Sequence, residues 1–204
     1  MYHHQTIVQI GSHIGNTSND PIFHLVDETT RLVLVEPVPS LFATLKDNYT
    51  TRFPNHPHLI FINKAVSSFV GTIELTVPSD KNDFNTLPFW ANQLSSVHRD
   101  HAQKHIEGLI TETITVPTTT ISEIIQEHQI NTIDLLHIDT EGHDFIILMN
   151  YDFHLLPKEV MFECKHMSDE QYETLSTRLV GLGYSNVFKN YEDAKFALAM
   201  PNHD

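Results

Sequence analysis

One stretch constrains this chain more than any other: Ile133-Asp134-Leu135-Leu136-His137-Ile138-Asp139-Thr140-Glu141-Gly142. An apolar run stops abruptly at two carboxylates and a glycine. A short apolar run bounded by turn residues reads as a buried strand, and acids placed where it stops sit at its carboxyl end. In open α/β sheets ligands bind in the crevice beyond that edge. The segment therefore predicts a fold and a site together.

The remaining pattern agrees. Strand-like runs at residues 6–10, 31–35, 59–62 and 160–164 alternate with helix-like ones. Residues 39–49 read as a helix with Leu41, Phe42 and Leu45 on one face. Ser122 is the expected cap of a second helix, with Ile121, Ile124 and Ile125 on its apolar side. Ser168-Asp169-Glu170-Gln171 approximates a capping box, and that helix should stop near Gly181 and Gly183. Residues 71–77 and 112–116 alternate as half-buried edge strands do, and residues 184–189 and 194–200 read as an antiparallel pair about a turn. The prediction is a Rossmann-like α/β fold. It has a seven-stranded, mostly parallel sheet, helices on both faces and a C-terminal antiparallel strand pair. A single domain over residues 1–204 is expected. Residues 79–108 have no period and carry Phe84, Phe89 and Trp90. An irregular segment of that length is expected to be a lid or insertion over a binding site, the alternatives being disorder or a helix around residues 97–106.

Composition narrows the partners. With 40% hydrophobic and 19% charged residues the chain is an ordinary globular one. A net charge of -14 disfavours nucleic acid and anionic membrane, which attract basic surfaces. The lone cysteine, Cys164, excludes an intrachain disulfide and lies in an apolar run, as a buried small hydrophobe does. No stretch has the length of a membrane span and no secretory signal is visible, so a cytoplasmic location is expected.

Gly11-Ser12-His13-Ile14-Gly15 follows the first strand. Glycines there let the backbone turn tightly and approach a ligand, with the N-terminus of a following helix nearby. The spacing falls short of a full dinucleotide fingerprint. Glu36, which ends the second strand some twenty residues on, adds weight: an acid there can accept hydrogen bonds from both ribose hydroxyls of an adenosine. NAD and S-adenosylmethionine both present such a ribose.

Four motifs together are similar to those of the FkbM-type family of S-adenosylmethionine-dependent methyltransferases. They are Gln9-Ile10-Gly11-Ser12-His13-Ile14-Gly15-Asn16, Glu36-Pro37-Val38-Pro39, Asn63-Lys64-Ala65-Val66 with Gly71-Thr72-Ile73-Glu74-Leu75, and residues 133–142. The likeness runs from about Thr6 to Lys165. It implies S-adenosylmethionine as cofactor, held by Gly11, Ser12, His13, Gly15, Asn16, Glu36 and Pro37, with Asn63, Lys64 and Ala65 near the adenine and Asp139 near the methyl. It departs at Gln9, where the family has an acid, at His13, often Asn, and at His137, often Lys. The implied activity is O-methylation of a sugar or another small hydroxylated acceptor. A non-catalytic cofactor-binding domain of the same fold is the alternative, and a NAD-dependent oxidoreductase a third.

Methyl transfer asks the protein to align acceptor and methyl, exclude water and take a proton. Asp139, at the strand end, is the candidate base. Period-two alternation puts His137 on the same face, where it could relay a proton, or be a buried structural histidine. Glu141 could orient the acceptor or cap the following helix. Glu163 and His166, after the next strand, could join Asp139 in holding a divalent cation, as in metal-assisted catechol-type relatives of this fold. Their spacing is no recognised metal motif, and no metal is expected.

Overall fold

The computed structural model describes residues 5–17, 20, 22–88, 90–98 and 101–199. Within them the chain runs β1 (Thr6–Ile10), β2 (Arg31–Val35), α1 (Pro39–Arg52), β3 (Leu59–Ile62), β4 (Ala65–Val66), β5 (Gly71–Pro78), α2 (His101–His105), β6 (Thr111–Thr119), α3 (Ile121–Glu127), β7 (Leu135–Ile138), α4 (Asp144–Asn150), β8 (Glu159–Glu163), α5 (Asp169–Gly181), β9 (Tyr184–Lys189) and β10 (Asp193–Leu198). Seven strands form one sheet in the order β3-β2-β1-β7-β8-β10-β9. The first five are parallel, and β10 runs antiparallel to both β8 and β9. Met200, at the end of the expected last strand, lies outside the described residues. The chain starts mid-sheet, winds outward through β2 and β3, then crosses to the other side of β1 at β7. That reversal, between the carboxyl ends of β1 and β7, is where such sheets open a crevice.

Successive side chains point to opposite faces of a strand, and both faces here are apolar. Val8, Ile10, Val33 and Val35 belong to a core with Ile124 of α3, Leu148 of α4 and Leu175 of α5. Ile7, Leu32 and Leu34 pack instead with Leu45 and Tyr49 of α1 and with Ile22 and Phe23. α1 starts on Pro39, whose missing N–H costs nothing in a first turn. α5 carries the complete capping box expected at Ser168 and Gln171.

Three expectations are corrected. The cap of α3 is Thr120, not Ser122. Thr120 has the extended backbone a cap requires, and its side chain accepts from the Glu123 N–H at 3.1 Å. Ser122 lies inside the first turn and donates to Asp152. Second, no helix follows the glycine loop among the described residues. Gly11, His13 and Gly15 have φ of 81°, 47° and 75°, which breaks a right-handed helix. Asp20 then accepts the N–H groups of Ile22 and Phe23 and sets the next turn.

Third, residues 71–77 and 112–116 are not edges of the large sheet. β5 and β6 pair antiparallel from Gly71↔Thr118 to Pro78↔Thr111, and with β4 they form a separate three-stranded sheet. Their alternation reflects one face packed on Val38 and Ala65. The irregular segment is thus the long connection of a hairpin. Ser96 exchanges two backbone hydrogen bonds with Thr76, and Leu94, Ala102 and Leu109 form a small core of their own. Its helix covers only His101–His105. Phe89 lies outside the described residues. No helix of the described residues is long and apolar enough to cross a membrane.

Gly11 shows why a glycine stands at the seam. A Cβ there would lie 1.7 Å from the Asp139 carbonyl oxygen, and the backbone is left-handed. Gly11→Ala is expected to cost at least about 2 kcal/mol through the left-handed backbone and the overlap together. Urea unfolding measures it, and a loss under about 0.5 kcal/mol would mean the seam can part freely.

Candidate active site

Beyond the ends of β1, β2 and β7 lies a cavity, closed on the far side by the β5–β6 hairpin. Among the residues expected at the site, Gly11, Ser12, His13, Glu36, Pro37, Lys64, Ala65, His137, Asp139 and Glu141 line it. Gly15, Asn16 and Asn63 do not. Gly15 is needed for packing, since a Cβ there would meet the Tyr49 ring at 2.5 Å. Asn16 is exposed. Asn63 donates its amide to the Glu36 and Pro37 carbonyls at 2.8 and 3.1 Å and so fixes the turn that carries Glu36.

The loop after β1 is stapled to β2. Gly11 and Ser12 both donate their N–H to the Val35 carbonyl. The Ser12 hydroxyl donates to the Gln9 carbonyl and accepts from the Val35 N–H. Glu36 is only 5% exposed. One of its oxygens accepts the His13 N–H at 2.9 Å, the other the Val38 N–H at 2.8 Å. Burial nonetheless pushes its pKa up to about 7. Each oxygen keeps a lone pair for a further donor, as two vicinal hydroxyls would supply. Lys64 reaches out to Glu127 at 3.8 Å.

Sequence reasoning missed Asp20, His143 and Asp144. Gln9 is buried beneath the cavity and donates its amide to Asp20 at 3.1 Å. Asp20, eleven positions on, thus brings a carboxyl group beside Gln9. Gln9 Oε1 itself is buried without a hydrogen-bond partner. Asp144 accepts from both the N–H and hydroxyl of Thr140 and from the Glu163 N–H, joining the ends of β7 and β8. Its place in the first turn of α4 was the available signal. His143, which precedes α4, shares a hydrogen bond with Ser67.

The strand-end acids crowd together. Asp139 is raised well above the carboxylate range by burial first, then by the charges of Asp144 and Glu141. Glu163 is pushed up to about 10, by burial first and then by Asp139 and Glu141. Glu141 does not cap α4. With φ of 51° it turns toward β8, where its carboxylate lies 3.7 Å from the Lys165 ammonium and 3.2 Å from His166. Lys165 also pairs with Glu163. A second cleft, lined by His98, Lys104, His105, Gly142 and His166, opens beside this group.

The model of the methyltransferase FkbM domain matches residues 9–184. No curated protein matches the sequence. Among solved structures, a methyltransferase FkbM from Methylobacillus flagellatus superposes with a TM-score of 0.55 at 12% identity, over 95% of this chain and 43% of that one. The chain thus spans less than half the length of that protein. The METTL16 methyltransferase domain gives 0.49 at 10% identity over 97% and 61% of the two chains. A ribosomal protein L11 methylase from Lactobacillus delbrueckii subsp. bulgaricus gives 0.44 at 9% over 98% and 73%.

His137 faces the cavity, as the alternation predicts, and burial lowers its pKa to about 4. It is neutral at pH 7, and its Nδ1 is buried without a hydrogen-bond partner. Between pH 6.5 and 4 the unfolded chain takes up a proton that the folded chain refuses, so stability falls as pH falls through that window. From pH 7.5 to 5 the wild type is expected to lose about 2 kcal/mol more than His137→Gln. Urea unfolding at both pH values reads this difference, and equal losses would place His137 in contact with water.

Proposed function

The chain belongs to the FkbM methyltransferase family, and from that premise we propose that it transfers the methyl of S-adenosylmethionine to a hydroxyl oxygen of a sugar or similar small acceptor. The observation that carries this reading is the pairing, in one cavity at the switch point, of the buried Glu36 carboxylate with the strand-end carboxylate of Asp139. The cavity's donor set fits the cofactor. Glu36 would offer two oxygens to a ribose diol, and Gln9 Oε1 and Asp20 would accept from the cofactor's ammonium group. Leu41, Val66 and Leu75 add apolar wall for an adenine.

The cofactor supplies an electrophilic methyl on a sulfonium, with a neutral thioether as leaving group. The protein's part is placement and proton removal. On this reading Asp139 takes the acceptor hydroxyl's proton as the new oxygen–carbon bond forms. Burial and the charges of Asp144 and Glu141 raise its affinity for a proton, the direction a proton acceptor needs. His137 lines the same face of the cavity, and with its pKa lowered to about 4 by burial it stays neutral beside Asp139 and is a poor proton acceptor. Glu141 sits at the rim, paired with His166 and Lys165, and shapes the entry for the acceptor. The acidic surface supports a small-molecule acceptor rather than nucleic acid.

Two outcomes are expected. Ribose hydroxyls donating to Glu36 favour its ionised form, so binding should release a proton and tighten as pH rises through about 7. Glu36→Gln should weaken S-adenosylhomocysteine by about 10- to 100-fold in isothermal titration and flatten that pH dependence. Gln is chosen over Ala because the side chain also holds the His13 and Val38 N–H groups. Unchanged affinity would return Glu36 to a purely structural role.

Asp139→Asn keeps the shape and removes the base. Turnover of labelled cofactor against a panel of hydroxyl compounds should fall by about 10²–10⁴-fold, with affinity for S-adenosylhomocysteine nearly unchanged. Full activity in this variant would remove Asp139 from the chemistry.

A further inference from the structure

We propose that Glu141, Glu163 and His166 form a binding site for a divalent first-row metal ion at the rim of the cavity. Among the described residues these three bring one ligand atom each within 4.8 Å of one another. They come from two strand ends that no sequence spacing links: Glu141 lies past β7, and Glu163 and His166 end β8 and follow it. His166 Nε2 stands 3.2 Å from Glu141 Oε2 and 3.6 Å from Glu163 Oε2. Two ligands on one such ion stand about 3.0–3.4 Å apart, given bonds of about 2.1 Å. Closing the site therefore takes small side-chain rotations and no backbone change.

The second observation is Glu163 itself. It is 5% exposed, and its Oε2, on the side facing His166, has no hydrogen-bond partner. A buried carboxylate oxygen left without a donor is costly. Its other oxygen is held by the Lys165 ammonium, which also faces Glu141 at 3.7 Å. One ammonium thus serves a group in which the charges of Asp139, Glu141 and Asp144 all bear on Glu163. A divalent ion would bring twice that charge and satisfy the free oxygen directly.

Two carboxylates and one imidazole suit an ion such as Mn²⁺, which accepts oxygen and nitrogen ligands together. The open side of the site faces the cleft beside Gly142, where water or acceptor oxygens would complete the coordination. That last role rests on the methyl-transfer reading; the ion's site does not.

The test is a Mn²⁺ titration of chelator-treated, dialysed protein without cofactor or acceptor, followed by the electron paramagnetic resonance of free Mn²⁺. The wild type should saturate at one ion per chain. Glu163→Gln and His166→Gln should each weaken binding by more than about tenfold, at least the loss seen when an outer partner of a metal ligand is removed. Lys165→Met should tighten it, because the competing ammonium is gone. Asp152→Asn, at the exposed Asp152–His154 pair, should leave it unchanged. Circular dichroism establishes that each variant folds, and the half-buried His166 carries the test if Glu163→Gln does not. Absence of saturable binding in the wild type, or binding indifferent to both ligand variants, would overturn the site. Neither result bears on S-adenosylhomocysteine affinity, which tests the methyl-transfer reading separately.

Discussion

The carboxyl edge of the sheet depends on how closely β1 and β7 run out beside each other. The Asp139 N–H donates to the Ile10 carbonyl at 2.9 Å, one step past the end of β7. At Gly11, the residue after β1, the two backbones are so near that only a glycine fits. Gly11 must therefore leave in the left-handed region, and the chain turns toward β2 rather than continuing upward. That turn delivers the His13 N–H to Glu36, and Glu36 in turn holds the Val38 N–H where α1 begins. One close approach thus sets both carboxylates on which the proposed chemistry relies.

The acids beyond this seam divide by how they are held. Asp144 takes three donors from Thr140 and Glu163, and although burial raises it to about 6, it works as a brace between β7 and β8. Glu36 takes two backbone donors and keeps capacity for more. No hydrogen bond braces Glu163 Oε2, and Asp139 is dominated by burial and like charge. Where neighbours supply no donors, a proton, a cation or a ligand must. The functional proposals fall on the members of the cluster whose hydrogen-bonding capacity is unfilled.

Much of this was legible in the sequence, for local reasons. The runs at Thr6, Arg31 and Leu59 are short, apolar and bounded by turn residues, and all three are parallel strands of the large sheet, the last at its edge. Ser168 with Gln171 announces its helix because a capping box is written within four residues. Glu36 and Asp139 were legible because strand ends have a fixed relation to the crevice. What was not legible depends on contacts far apart in the chain. Alternation in residues 71–77 reports one buried face but not which sheet it joins, and the partner of β5 proves to be β6, not the main sheet. Asp20 meets Gln9 across a loop that no period describes. Glu141, Glu163 and His166 meet only because β7 and β8 are neighbours in the sheet. Gly15 has the look of a ligand-loop glycine and is instead required by the Tyr49 ring.

The two walls of the cavity differ in origin, and this difference separates the reaction from its acceptor. One wall is the end of the parallel sheet, where Gly11, Glu36 and Asp139 are fixed by ladder hydrogen bonds and by packing on both faces. The other comes from the connection inside the β5–β6 hairpin, which brings Gln93, Ser95, Ser96 and Val97 to the cavity. That connection is tied to the sheet side at Ser96, whose hydroxyl donates to the Glu141 carbonyl at 2.8 Å. Motifs written in strand ends identify the first wall and hence the family's reaction. The second wall has no period and is built on its own small core, so its sequence can vary without disturbing the sheet. On the methyl-transfer reading, the choice of acceptor lies in this hairpin, joined to the chemistry through Ser96 and the turn at Glu141.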